Sequence, residues 1–504
     1  MLARRGALAL VCIVLASLAF RLHVSRECSL WLDEVATHLD GLKPWPVVLH
    51  GPEREHPPLM FVLVKVTLGL LGTSETAVRA VSLFFGCVLL VAAHELCLEL
   101  GLSVKRALIV VATLALDPFF IRHATEARQY AMLAALVTLA TTRTLRLLRG
   151  PLRIPDVAGF AASALAAAYT QYFGLAYGLA LLGGIVIGIA PGWKQSSLRQ
   201  RFGLVALLGA FAVLLTFVAA RAVSLGRFYG VGTGGAEAGP PFSVDLLLGF
   251  PREFSFLLNR AWSSVIEPTL ALIGLLLLSR RLRGVARLLP VGLGIVPCVA
   301  ATFISAQHFI APRYLAPSAI WYHVGACFAL FAAVDYARRV LARAGRSRLL
   351  APLFGGLVLA SVLGMRLSEY PNGFGAGAED YRAMQRYFVA DLAKDTAFVA
   401  YNGFFGELLF GKQYPVGTRT IRLEKFRPVR GIDRYLIVEL HVNDDDPTLA
   451  ALVQKYFGLE AQAWRALPLL PVPRSTYQPA VTARILQLPG DRAPESRRKR
   501  TRAP

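Results

Sequence analysis

Long apolar runs alternate along the chain with short clusters of arginine and lysine. The runs lie at 6–24, 76–98, 107–122, 130–147, 156–170, 174–190, 203–221, 265–279, 288–306, 314–334 and 349–367. Most approach the ~20 residues an α-helix needs to cross a bilayer. Basic clusters follow at Lys105–Arg106, Arg143–Arg153, Lys194–Arg201, Arg280–Arg287 and Arg338–Arg348. If each run crosses once, every cluster falls on one side, which the positive-inside bias makes cytoplasmic. The pattern predicts an all-α polytopic membrane protein of roughly eleven transmembrane helices.

One apolar segment tests that path. Leu59–Leu71 is 13 residues long and contains Lys65. A crossing there would move every later basic cluster to the outer face. The segment therefore reads as an interfacial or re-entrant helix on the outer surface, with a short tilted span as the alternative. Arg4 and Arg5 precede the first run, and no small-residue cleavage site follows it, so it reads as an uncleaved signal anchor.

Beyond residue 370 the pattern changes. Residues 371–377 form a Gly-rich linker, after which charged and apolar residues mix. Helices are expected at 379–392 and 447–457, with buried strands at 397–401 and 435–440. The expected organisation is a transmembrane domain over 1–370 and a small extracytoplasmic α/β domain over 371–490. A basic tail over 491–504 is expected to be disordered.

Composition agrees with the membrane reading. The chain has 504 residues, 55% of them hydrophobic and 17% charged, with a mean hydropathy of +0.52. Soluble domains are roughly 45–50% apolar and about 25% charged. A net charge of +22 would suggest nucleic acid in a soluble protein. Here the basic residues sit in short loops between apolar runs, so no nucleic-acid partner is expected. Of six cysteines, Cys12, Cys87, Cys97, Cys298 and Cys327 lie in apolar runs, which leaves no disulfide framework or CxxC metal motif.

The chemistry gathers in the expected outer loops. The first holds Asp33, Glu34, His38, Glu53, Glu55 and His56. The second holds Asp117, Arg122, His123, Glu126, Arg128 and Tyr130, and a later one holds His308, Arg313 and Tyr314. Polar groups at membrane depth are costly, so loop ends that converge on one cavity point to function. A carboxylate can deprotonate a hydroxyl nucleophile, and an adjacent carboxylate raises the pKa of the pair. Arginines at the membrane surface suit a phosphate, because the guanidinium fork binds it bidentately. No Gly-Lys-Ser/Thr nucleotide loop is present. Acid plus arginine at the outer interface points to group transfer from a lipid-linked phosphate.

In order, Trp31-Leu32-Asp33-Glu34, His56-Pro57-Pro58-Leu59, Gly72-Thr73-Ser74-Glu75 through Arg79, Asp117-Pro118-Phe119, Glu126-Ala127-Arg128-Gln129-Tyr130 and Arg313-Tyr314 resemble a known family. That family is the GT-C glycosyltransferases, in particular the protein-mannosyltransferase-like group that includes lipid A aminoarabinose and galacturonosyl transferases. The resemblance covers residues 1–150 and extends to the later spans by general pattern. It implies a polyprenyl-phosphate sugar donor and inverting transfer to a glycolipid, glycan or protein acceptor on the extracytoplasmic face of the cell membrane. The family's acidic residue after the first span, its proposed base, falls on Asp33, and the partner position falls on Glu34. The family often carries Arg or Lys before the Pro-Pro pair, where this chain has His56.

Each candidate also has a structural reading. Glu34 could cap the following helix, and Glu126 with Arg128 could be a structural ion pair. Arg313 is either a phosphate ligand or an interfacial anchor, and Lys65 either reaches a phosphate or snorkels. Tyr130 and Tyr314 are either belt aromatics or sugar contacts. No motif demands a cofactor. A divalent metal stays open, although His56 with Glu55 or His38 matches no compact ligand spacing. The rival class is a multi-pass transporter or lipid flippase, which would place its substrate site near the midplane, often between repeated halves.

Overall fold

The computed structural model describes residues 2–27, 29–50, 56–150, 152–189, 263–305 and 312–343, four strands between 396 and 487, and scattered positions elsewhere. By contact the chain divides into two units, residues 1–25 with 37–371 and residues 26–36 with 372–504.

Ten helices are described before residue 190. They are α1 (Leu2–Glu27), α2 (Leu32–Leu42), α3 (Trp45–His50), α4 (Leu59–Leu71), α5 (Glu75–Glu99), α6 (Val104–Ala115), α7 (Pro118–Thr125), α8 (Tyr130–Arg149), α9 (Ile154–Thr170) and α10 (Tyr172–Ile189). Further on come α11 (Ser263–Arg281), α12 (Leu289–Gly294), α13 (Val296–Ser305) and α14 (Ala316–Arg343). Short 3-10 turns at Gly284–Leu288 and Pro312–Leu315 precede α12 and α14. Among the described residues, six helical stretches are long and apolar enough to cross a membrane. These are Arg5–Arg26, Glu75–Glu99, Tyr130–Arg149, Tyr172–Ile189, Gly284–Thr302 and Arg313–Val340. The protein is a helical, multi-pass membrane protein.

Local chemistry explains where the elements begin and end. Gly72 closes α4 at φ 81, a left-handed conformation that glycine adopts without a Cβ clash, and its N–H returns to Leu68 O. Ser74 then caps α5 by accepting Ala77 N–H at 3.2 Å. α4 thus stops at 13 residues, too short for an upright crossing.

Two expectations are corrected. The apolar stretch 107–122 is not one span, because it breaks after Ala115. Asp117 caps a new helix that opens with Pro118, a residue suited to a first helical turn. Residues 32–42 are not a loop: Asp33 and Glu34 occupy the first turn of α2. The spans expected at 203–221 and 349–367, and the Gly-rich stretch near 230–241, fall largely or wholly outside the described residues.

In the first unit, α8 lies centrally, packed by α5, α9, α10 and α14. It is buried almost all round, with no free face. Its Thr138, Thr141, Thr142 and Thr144 return their hydroxyls to carbonyls four residues back. That satisfies each hydroxyl inside its own helix, as a water-free interior requires. Its far end is an ion-pair belt. Arg146 Nε reaches Glu99 Oε1 at 2.7 Å, Arg143 Nη1 reaches Asp156 Oδ1 at 3.2 Å, and Arg106 pairs with Asp335. A second axis is the α11–α14 pair, whose backbones meet at Gly274 and Gly325.

In the second unit, strands β1 (Thr396–Tyr401), β2 (Thr420–Arg422), β3 (Arg434–Leu440) and β4 (Val481–Gln487) form one sheet ordered β2-β1-β3-β4. β1 runs parallel to β2 and β3, with Phe398 opposite Leu436, and β4 runs antiparallel to β3. The strands expected at 397–401 and 435–440 are β1 and β3. The helix expected at 379–392 lies outside the described residues, as does that at 447–457 but for one position.

Candidate active site

The candidate site forms where α7 hands over to α8. Asp117 Oδ1 accepts Phe119 N–H at 3.0 Å and anchors the start of α7. The last turn of α7 carries Arg122 and His123, and the chain then leaves the helix at Glu126, whose φ of −95 and ψ of 137 are extended. Arg128 N–H bonds Glu126 O at 2.7 Å, a tight bend that brings Tyr130 to the head of α8.

This bend sends the two charged side chains in different directions. Glu126 accepts from Arg122 Nε at 2.8 Å and lies 3.3 Å from His123 Nδ1. Arg128 donates from Nη1 to Thr37 Oγ1 at 3.2 Å and from Nη2 to His56 Nε2 at 3.0 Å. A guanidinium has donors only, so His56 Nε2 accepts and its proton sits on Nδ1. Ser82 holds the same residue from behind, donating to Arg128 O at 2.9 Å.

Arg313 and Tyr314 arrive from the turn that opens α14. The Arg313 guanidinium lies 5.7 Å from the Tyr130 ring centre and 5.9 Å from that of Tyr314, within range of a cation–π attraction. Tyr130 and Tyr314 are 6.0 Å apart, and Phe173 from α10 stacks on Tyr314 at 5.8 Å. His123 meets the Tyr130 ring edge at 5.1 Å.

The charges settle the protonation states. Burial, helped by the Arg128 and Arg313 charges, pushes His56 down to about 3. Burial also lowers His123, against the pull of Glu126. Burial works to raise the Glu126 carboxyl, but Arg122 and His123 outweigh it and hold it near about 2. Since His123 is neutral near pH 7, the Arg122 charge does most of that holding. Asp40, on α2, is raised by burial, with Lys43 and Arg128 opposing. Near neutral pH the cluster is therefore two neutral imidazoles, one carboxylate answered by Arg122, and the guanidiniums of Arg128 and Arg313. That is a cationic cluster beside aromatic rings, a charge arrangement suited to an anion.

Of the sequence candidates, His56, Glu126, Arg128, Tyr130, Arg313 and Tyr314 come together here. Lys65 does not join them. Its ammonium donates to Lys43 O at 2.6 Å and Gly41 O at 3.4 Å, with Trp45 at 5.3 Å. Those carbonyls end α2, where a cation complements the helix dipole. Glu34 is buried, and its Oε2 accepts Trp31 N–H at 3.1 Å, the reach of a third helical residue back to the cap. Asp33, beside it, is half-buried. Glu53, Glu55 and His308 lie outside the described residues. Among the described residues, no group of three or more His, Cys, Asp or Glu could hold a metal ion.

Thr37 and Phe173 join the site without having been selected from sequence, while Arg122 and His123, named among the polar residues of the second outer loop, join it as partners of Glu126. A signal existed for Thr37. On a helix, Asp33, Thr37 and Asp40 share one stripe, and reading 32–42 as a helix would have found it.

No family model and no curated protein matches the chain. The fold is similar to that of ArnT from Cupriavidus metallidurans bound to undecaprenyl phosphate. The TM-score is 0.54 at 16% identity, over 94% of this chain and 97% of that one. The apo state of the same ArnT gives 0.52 at 15% identity, over 96% and 98%. The protein therefore shares the fold of ArnT, the kind of fold that the resemblance of its motifs leads one to expect.

Proposed function

We propose that the protein is a membrane glycosyltransferase that moves a sugar from a polyprenyl-phosphate donor to an acceptor hydroxyl, with inversion. The observation that carries this reading is the convergence of Arg128, His56 and Arg313 around Tyr130 and Tyr314. The likeness to ArnT, whose structure holds undecaprenyl phosphate, supports the same class of leaving group.

In this mechanism Asp33, one turn before Thr37 on α2, takes the proton of the acceptor hydroxyl. The freed oxygen attacks the anomeric carbon from the face opposite the phosphate, and the bond to the phosphate oxygen breaks. Arg128 and Arg313 face the charge that develops on that oxygen, which is electrostatic stabilisation of the transition state. Neutral His56 holds the Arg128 fork in place. Tyr130 and Tyr314 form the wall on which the sugar rests. Glu126 fixes Arg122 and His123, Glu34 fixes the start of α2, and Lys65 fixes its end.

Orientation follows from charge. Tyr130 opens α8 and Arg146 lies in its last turn, about 24 Å along the axis at helical rise. If the Arg143–Arg149 belt faces the cytoplasm, the site opens on the extracytoplasmic side of the cell membrane. We place the sheet-containing region, 371–490, on that side as an α/β domain, with 491–504 as a basic tail. The acceptor class is a glycolipid, glycan or protein.

The test is incubation of the purified protein with a panel of labelled polyprenyl-phosphate sugars and membrane-lipid acceptors. Transfer by the wild type and none by folded Asp33→Asn is expected. Normal transfer by Asp33→Asn would sink the assignment of the base.

A further inference from the structure

A second buried polar cluster stands where α6, α7 and α14 meet. Asp117 is 2% exposed and His323 3%. One carboxylate oxygen of Asp117 caps α7 through Phe119 N–H, and the other lies 3.3 Å from His323 Nδ1, two turns into α14. The far ring nitrogen, Nε2, lies 3.0 Å from Thr113 Oγ1 near the end of α6. That hydroxyl is also 2.9 Å from Val110 O and 3.0 Å from Ile109 O, so it can give its proton to its own helix and accept from the ring. Cys327 Sγ closes the cluster at 3.7 Å from the same oxygen. One imidazole thus joins three helices.

Such a pair is a poor choice for stability alone, since an apolar pair of equal volume avoids the desolvation of both groups. What it supplies is register. A directional bond holds one helix at one height against another, which apolar contacts between helices do less strictly. Register bears on the site, because α7 leads into Glu126 and Arg128, and α14 begins just after Arg313 and Tyr314. Asp117 and His323 lie 9 to 11 residues from those groups along the chain, at most about 17 Å at helical rise.

We propose that His323 is a positioning residue. Through Asp117 it sets the height of α14 against α7, and so the placement of Arg313 and Tyr314 against Tyr130. Its kinetic consequence rests on the transferase reading, and its structural consequence does not.

The test uses the full chain in lipid nanodiscs with 3-fluorotyrosine at Tyr314, whose ring senses Tyr130, Phe173 and Arg313. His323→Leu removes both ring bonds, His323→Asn keeps a donor at the Nδ1 position, and His323→Gln keeps one at the Nε2 position. His323→Leu and His323→Gln are expected to shift the fluorine signal without substrate and to lower kcat by about 10²-fold, with donor KM and Tm little changed. His323→Asn is expected to restore both signal and kcat. If His323→Leu does not fold, the Asn and Gln variants decide between them. An unshifted signal in His323→Gln, or losses in all variants that merely follow Tm, overturns the proposal. A wild type that transfers no sugar would count against the transferase reading, while the Tyr314 signal still judges the role of His323.

Discussion

Arg128 donates to His56 Nε2 at 3.0 Å, and burial, helped by the charges of Arg128 and Arg313, keeps that imidazole neutral. The sign of the pH dependence follows. The folded pKa of His56, about 3, lies below the ~6.5 of an unperturbed histidine. Between those values the unfolded chain binds a proton that the folded one does not, so acidification from ~6.5 toward ~3 costs stability. Thermal unfolding from pH 7 to pH 4 should show Tm falling, and His56→Gln should flatten its share of that slope. A His56 ring that titrates near 6.5 by NMR would contradict this.

Glu126 acts in the same direction at lower pH. Its carboxyl is held near about 2 against a reference of 4.5, so its contribution is present above the reference and lost as pH falls toward 2. Glu126→Gln should remove that part of the acid transition. Arg122 should then become more mobile, visible as faster exchange of its guanidinium protons.

Arg128→Lys keeps the charge and loses the fork that serves Thr37 and His56 together. Transfer should fall by about 10²–10³-fold in kcat, the range for loss of a donor aimed at developing charge. Donor binding, read by competition with undecaprenyl phosphate, should weaken far less. Weakened donor binding with kcat unchanged would mean that Arg128 acts in binding alone.

Gly274 and Gly325 let α11 and α14 touch backbone to backbone, because a Cβ at Gly274 would overlap the Gly325 carbonyl. Gly274→Ala should push the helices apart and lower Tm, at a cost of about 1–3 kcal/mol for an overpacked contact. Gly183→Ala, where nothing lies within 4 Å of the added carbon, is the control. Comparable Tm losses in both would refute the close-packing account.

Much of the site was legible before any geometry. Glu126, Arg128 and Tyr130 stand out as polar residues between apolar runs, and His56 and Arg313 stand out at the ends of others. What stayed hidden was their pairing. Glu126 beside Arg128 reads as an ion pair, yet the bend at 126–129 turns one to Arg122 and the other to Thr37 and His56. Lys65 read equally well as a phosphate ligand, until its ammonium was found on the carbonyls that end α2.

The sequence by itself determined that the chain is a multi-pass helical protein. It also determined that the 13-residue helix Leu59–Leu71 stops short of a full span. Apolar periodicity, Gly72, Ser74 and the arginine clusters are local signals, and local signals survive in a linear string. Tertiary structure alone decided which guanidinium meets which partner and that His323 reaches Asp117 and Thr113. Those outcomes depend on residues up to 210 positions apart, as Thr113 and His323 are. Their bonds exist only once α6, α7 and α14 are packed together.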